Sequence, residues 1–275
     1  YKGRYPAPQL ESLSPPIDYE TTLEAHNQRW LLALDSPRNL PAEIAQNGTL
    51  TAVSQNPINE RQRFRLSASL DYRFNTSEDP VVLQRNLALP AGSNPQARAL
   101  AGQWRASQTP EGVIDKALAL FAAEFTYTLQ PPLLGRHSVD DFLFQSKRGF
   151  CEHYAAAFVV LMRAAGIPAR VVGGYQGGEF NPLDQYLVVR QSDAHAWTEV
   201  WLAGKGWVRV DPTAAVSPDR IETGIATALG FGEPLPMLIQ LRSKWLRTLR
   251  YRWEAINNAW NQSVLGYNPQ RQREL

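Results

Sequence analysis

The sequence predicts an α+β protein: a β-rich lobe, a core that is first helical and then antiparallel, and a C-terminal amphipathic helix. Three patterns carry that expectation. Residues 63–74 alternate polar and apolar side chains, residues 151–165 are apolar on nearly every side, and residues 194–202 alternate again. Alternation with period two marks a half-buried strand, and an all-round apolar helix marks a buried one. The expected boundaries are a β lobe over 1–91, a core over 92–235, and an amphipathic helix with its tail over 236–275.

In the lobe, Tyr19, Thr21, Leu23 and Ala25 alternate with Asp18, Glu20, Thr22 and Glu24, and the set Phe64, Leu66, Ala68, Leu70, Tyr72 and Phe74 predicts one longer strand. Asn94-Pro95 and Thr109-Pro110 each offer an N-cap followed by proline at the first helical position, so two helices are expected to follow. Ser138-Val139-Asp140-Asp141 resembles a capping box, with Asp in the usual place of Glu, and predicts a short helix leading toward Cys151. The helix opening at Cys151 is expected to end at Gly166, and Ile167-Pro168 forces an extended exit. Strands are expected at 170–175, 186–191, 194–202 and 207–211. "GGYQGG" at 173–178 lacks the Lys-Ser/Thr ending of a phosphate loop, which leaves a turn between strands.

Composition excludes several functions. With 28 basic and 26 acidic residues the net charge is +2, too little for a nucleic-acid stripe. A single cysteine cannot form an internal disulfide. The histidines at 26, 137, 153 and 195 lack zinc-ligand spacing, so neither a metal nor another cofactor is expected. The apolar run from Ala155 to Met162 is too short to span a bilayer, and the N-terminus has no signal-peptide core. The chain as it stands is expected to be soluble and, lacking an initiator Met, to be a segment of a larger protein.

The chemistry centres on Cys151. At a helix N-terminus it faces unpaired backbone N–H groups and the positive end of the helix dipole, with Lys147 and Arg148 just before it, and all of these favour the reactive thiolate. A lone cysteine is by itself more often a small apolar filler. Further residues lie in "SDAHAWTEVWLAGKGWVRVD", where His195 falls on the more polar face of one strand and Asp211 ends the next. A two-residue loop at Gly204-Lys205 puts Asp211 on the face opposite His195. A three-residue loop at 203–205 puts it diagonal to His195 on the same face.

Cys151 in "GFCEHYAAAF", His195 in "DAHAWTEVWL" and Asp211 in "GWVRVDPT" resemble, in that order, the three blocks of the transglutaminase-like superfamily. Over most of its length the chain is similar to the periplasmic domains of bacterial multi-pass inner-membrane transglutaminases. The resemblance implies a papain-like core, with the nucleophile opening a central helix against an antiparallel sheet. It implies Cys151 as nucleophile, His195 as base and later acid, and Asp211 as orienter of the imidazole. The implied partners are a protein or peptide glutamine donor and an amine acceptor, cell-wall linked or otherwise in the envelope, with membrane tethering through segments outside this chain. A cysteine protease or amidase with the same triad, or a binding module on a retired transglutaminase fold, are the competing expectations.

Other residues near the motifs have two readings each. Gln145 is a candidate oxyanion donor or an exposed residue near a helix end. Trp197 and Phe150 line an acyl channel or belong to the core. His153 is a rival base, but residues two apart on a helix do not face each other, which favours a structural role, and Glu152 reads as a helix-start anion. In the tail, Leu238, Leu241, Trp245, Leu249, Trp253, Ile256, Trp260 and Val264 recur at helical spacing beside Arg242, Lys244, Arg247, Arg250 and Arg252. Such a stripe docks on the protein's own core or rests on a membrane surface.

Overall fold

The computed structural model describes residues 8–218 and Tyr251. The amphipathic stripe read at 238–264 therefore lies outside the described residues. The chain divides into two compact units: 8–77 with Ala203–Trp207, and 78–202 with 208–218 and Tyr251.

The first unit is built from short strands. They are β1 (Leu10–Ser12), β2 (Ile17–Leu23), β3 (Trp30–Leu31), β4 (Pro37–Arg38), β5 (Ile44–Gln46), β6 (Ala52–Ser54), β7 (Gln62–Ala68) and β8 (Tyr72–Phe74). Two three-stranded sheets, ordered β2-β7-β4 and β3-β6-β5, enclose a core of Leu23, Leu31, Ile44, Ala52, Ile58, Phe64 and Leu66. The single strand expected across 63–74 is instead broken into β7 and β8. The Ser36 hydroxyl donates to the Ser69 carbonyl at 2.5 Å and accepts from the Ser69 N–H at 3.1 Å, while Ser12 Oγ donates to Ser69 Oγ at 2.6 Å. These bonds satisfy Ser69's backbone outside a ladder, so the alternation continues while the pairing does not.

The second unit opens with α1 (Pro80–Arg85), followed by α2 (Pro95–Ser107), α3 (Pro110–Glu124), β9 (Thr126–Tyr127), α4 (Ser138–Asp141), β10 (Arg148–Gly149) and α5 (Cys151–Ala164). Then come β11 (Ala169–Tyr175), β12 (Glu179–Asn181), β13 (Tyr186–Val188), β14 (Ala194–Leu202) and β15 (Gly206–Val210). β14 lies between β11 and β15, and α5 packs its buried Tyr154, Ala157, Phe158, Leu161 and Met162 into a core shared with Phe121, Phe142, Val200 and Leu202. This is the expected buried central helix against an antiparallel sheet.

Two caps differ from the sequence reading. Thr109 caps α3 as expected, accepting from Gly112 N at 3.2 Å. Asn94 precedes α2 in the left-handed region (φ 47°) and makes no cap bond to its own helix. Its side chain instead accepts from the Val139 N–H of α4 at 3.1 Å, and buried Asp140 returns the exchange, accepting from Gln96 and Ala97 at the start of α2 at 3.0 and 2.8 Å. The expected capping box at Ser138 is absent: Ser138 is the first residue of α4 rather than its cap, and Asp141, the acid of the expected box, accepts from Gly135 N at 2.7 Å instead. α4 runs into a π-helical turn, Phe142–Ser146, that ends at Lys147 with φ 51°.

Candidate active site

Cys151 occupies the first position of α5, where backbone N–H groups have no acceptor within the helix. The chain arrives there under tight control. β10 pairs in parallel with β9, and Gly149 leaves no room for a side chain, since a Cβ there would lie 2.7 Å from His153 Cβ and 2.9 Å from the Phe142 ring. Cys151 is buried, packed with Ala155, Ala196 and Phe150. Of the two preceding cations, Lys147 is paired with Glu124, so its charge is largely spent away from the sulfur.

His195 lies on β14 with its side chain fully buried. The turn between β14 and β15 is the three-residue one, 203–205. His195 Nε2 stands 2.7 Å from Asp211 Oδ2, which puts Asp211 on the histidine's side of the sheet. Asp211's other oxygen accepts from Thr213 N at 3.0 Å, so the carboxylate is held at both oxygens, and Thr198 Oγ1 anchors the preceding backbone by donating to the Val210 carbonyl at 2.6 Å. A carboxylate only accepts, so Nε2 carries the proton and Nδ1 presents a lone pair. Nδ1 is buried without a hydrogen bond of ordinary geometry. Burial lowers the proton affinity of this ring, but the hydrogen bonds and charges of Asp211 and Cys151 outweigh it, and the pKa lies above the ordinary imidazole value.

The fold thus brings together Cys151, His195 and Asp211, keeps Phe150 and Trp197 beside them, and turns Gln145 and Glu152 outward. Gln145 is exposed, and its amide donates to Asp141 at 3.0 Å. The His153 ring packs edge-on against Phe150, centroids 4.6 Å apart, and tilts against Phe142 at 5.7 Å. Burial lowers its pKa, against smaller upward effects of Glu152 and the Phe150 backbone. Glu152 is exposed in the first turn of α5. Phe150 packs beside Cys151, and Trp197 is buried with its ring near His195. Arg209 and Gly174, which meet the Trp197 ring, and Gln176, which bonds Arg209, were not singled out from the sequence. Arg209 was legible, standing two residues before Asp211 on one strand and so on the same face.

The chain resembles the periplasmic domain of TgpA from Pseudomonas aeruginosa in a crystal structure with 43% sequence identity, a TM-score of 0.78, and coverage of 80% of this chain and 77% of that one. A second crystal structure of that domain, bound to ethylmercury, matches at 42% identity with a TM-score of 0.76, covering 78% of each chain. The chain belongs to the transglutaminase-like superfamily. The model of that superfamily matches residues 98–212, a span holding Cys151, His195 and Asp211, and the TgpA N-terminal domain matches residues 2–75. Among curated relatives, a protein-glutamine gamma-glutamyltransferase of Pseudomonas aeruginosa is 42% identical over 266 residues, 94% of this chain but 40% of the relative. The uncharacterized protein YebA of Bacillus subtilis is 33% identical over 182 residues, 62% of this chain and 24% of the relative. The chain thus spans less than half the length of either.

Proposed function

We propose that the chain is the acyl-transfer domain of a transglutaminase, exposed to the periplasm as part of a bacterial inner-membrane multi-pass protein and acting on a cell-envelope substrate. The observation that carries this reading is the 2.7 Å bond from His195 Nε2 to Asp211, which leaves Nδ1 as the lone-pair nitrogen of a ring acted on by Cys151. The relative's name, protein-glutamine gamma-glutamyltransferase, supports the choice of glutamine as donor.

In this reading His195 Nδ1 takes the Cys151 proton, and the thiolate adds to the γ-carboxamide carbonyl of a glutamine side chain. The backbone N–H groups at the start of α5 lie where an oxyanion forms beside Cys151. As the tetrahedral intermediate collapses, His195 returns the proton to nitrogen, ammonia leaves, and a thioester remains on Cys151. A primary amine then attacks, losing its proton to His195, and the thioester C–S bond breaks to give an isopeptide and free thiol. Water in place of the amine gives glutamate. Asp211 acts throughout by holding the imidazole in one tautomer and one plane.

The test is incubation of the chain with a glutamine peptide and a primary amine, with products read by mass spectrometry. The expected result is an amine-linked product that disappears in Cys151→Ala while the fold is retained. Product from Cys151→Ala would remove the thioester route, and hydrolysis alone would make the domain an amidase.

A further inference from the structure

The surroundings of His195 contain an arrangement that the triad does not account for. His195 and Trp197 alternate on one face of β14, and their rings lie close to parallel, at 23° with centroids 6.2 Å apart. The indole also reaches across β11. A Cβ built on Gly174 would lie 2.6 Å from Trp197 Cη2, and Gly174 is the residue paired directly with His195. Glycine stands here for space rather than for backbone freedom, because the indole occupies the place of its side chain. From β15 the Arg209 guanidinium stands 4.2 Å from the centre of the same indole, and its Nη2 donates to Gln176 Oε1 at 2.6 Å. Gln176 follows the last residue of β11. Trp197 is therefore bedded on one neighbouring strand and covered by a cation from the other, a contact that adds to the fixity of a buried aromatic ring.

Such fixing has a consequence for the imidazole. A histidine side chain has a rotatable ring, and an Nε2–H···carboxylate bond open to water competes with water for both partners. We propose that Trp197, held by Gly174, Arg209 and Gln176, is a positioning residue that fixes the plane of His195 and screens the Nε2–H···Asp211 bond from water. Neither Trp197 nor Arg209 is required to touch substrate. The catalytic meaning rests on the acyl-transfer reading above. The screening itself is a property of the folded chain and is measurable without turnover.

The experiment is proton NMR of the 275-residue chain labelled with nitrogen-15 histidine, the His195 Nε2–H signal being assigned by its absence in His195→Gln. The wild-type proton is expected at low field and in slow exchange with water. It is lost to exchange in Trp197→Ala and in Gly174→Ala, where the new methyl displaces the indole without altering any triad residue. Exchange accelerates in Arg209→Ala, and the signal survives in Trp197→Phe. Near-UV circular dichroism verifies folding, and Gly174→Ala and Arg209→Ala carry the test if Trp197→Ala does not fold. A slow proton retained in the folded variants overturns the proposal, as does a wild-type proton already in fast exchange. With transfer activity present, Trp197→Ala lowers kcat with little change in KM. The expected NMR change in a chain that transfers no acyl group would sink the functional reading alone.

Discussion

Two histidines stand near Cys151, one by sequence and one by folding, and their surroundings push them in opposite directions. His153 is two residues away on α5, wedged against Phe150 and Phe142, with Nδ1 buried and unbonded; its burial favours the neutral ring. His195 is remote along the chain and buried too, yet Asp211 and Cys151 reverse the sign and hold the proton more tightly. Partners rather than proximity make the difference: aromatic carbon offers a proton nothing, whereas an aligned carboxylate offers it a charge.

The largest effect that tests this contrast is on acyl transfer. His195→Ala is expected to lower the rate of isopeptide formation about 10²–10⁴-fold, the usual worth of a positioned acid–base group. His153→Ala leaves the rate of the folded fraction nearly unchanged and lowers the unfolding temperature. Steady-state rates normalised to folded protein decide it, and the reverse pattern would make His153 the base. Asp211→Asn comes next, with a smaller loss than His195→Ala, because the imidazole remains but loses the charge that orders it.

The pH dependence of stability gives a subtler contrast. A raised folded pKa contributes stability that is fully present below the unfolded value of about 6.5 and lost as pH rises through the folded value. His195 belongs to that case, so the stability lost in His195→Gln is greater at pH 5 than at pH 8, both taken as approximate working points. His153, with a lowered pKa, contributes stability present above the unfolded value and lost as pH falls through the folded one. Its glutamine variant therefore narrows the gap to wild type on acidification. Denaturant titrations across that range are expected to show opposite slopes, and parallel slopes would remove the contrast.

Smaller still is Tyr154→Phe. The Tyr154 hydroxyl is fully buried with no hydrogen-bond partner among the described residues, and burial pushes the phenol up. Removing an unsatisfied group of this kind leaves stability unchanged or raised by up to about 1–3 kcal/mol. A clear loss would mean that the hydroxyl has a partner. Gln145→Ala, at an exposed residue bonded only locally, is expected to leave transfer rates at the wild-type value.

The site was legible in the sequence where side-chain period and helix position decide chemistry. Cys151 opens an apolar helix, His195 belongs to an alternating strand, and the parity of one turn settles which way Asp211 faces. Tertiary bonds that override local pattern were not legible. The alternation through Phe64 and Phe74 gave no sign that Ser12 and Ser36 interrupt the ladder at Ser69, and the local pattern gave no sign that Asp140 accepts from the start of α2. α1 had a usable sign, since Asp79 caps it before Pro80, accepting from Val81 N at 2.8 Å. β12 was obscured by the glycines before it, and of the expected 186–191 strand only Tyr186–Val188 forms, as β13. Gly206 is a further case: its φ of 80° and a Cβ position 2.1 Å from the Phe74 carbonyl oxygen demand glycine for reasons of backbone contact.

The central claim, that His195 and not His153 activates Cys151, is tested most directly by trapping the acyl-enzyme. Intact-protein mass spectrometry of the chain quenched in acid after mixing with a glutamine peptide reads the thioester as an added peptide mass less ammonia. The expected result is that adduct on wild type and His153→Ala, at Cys151, and none on His195→Ala. An adduct formed as fast on His195→Ala as on wild type would contradict the account.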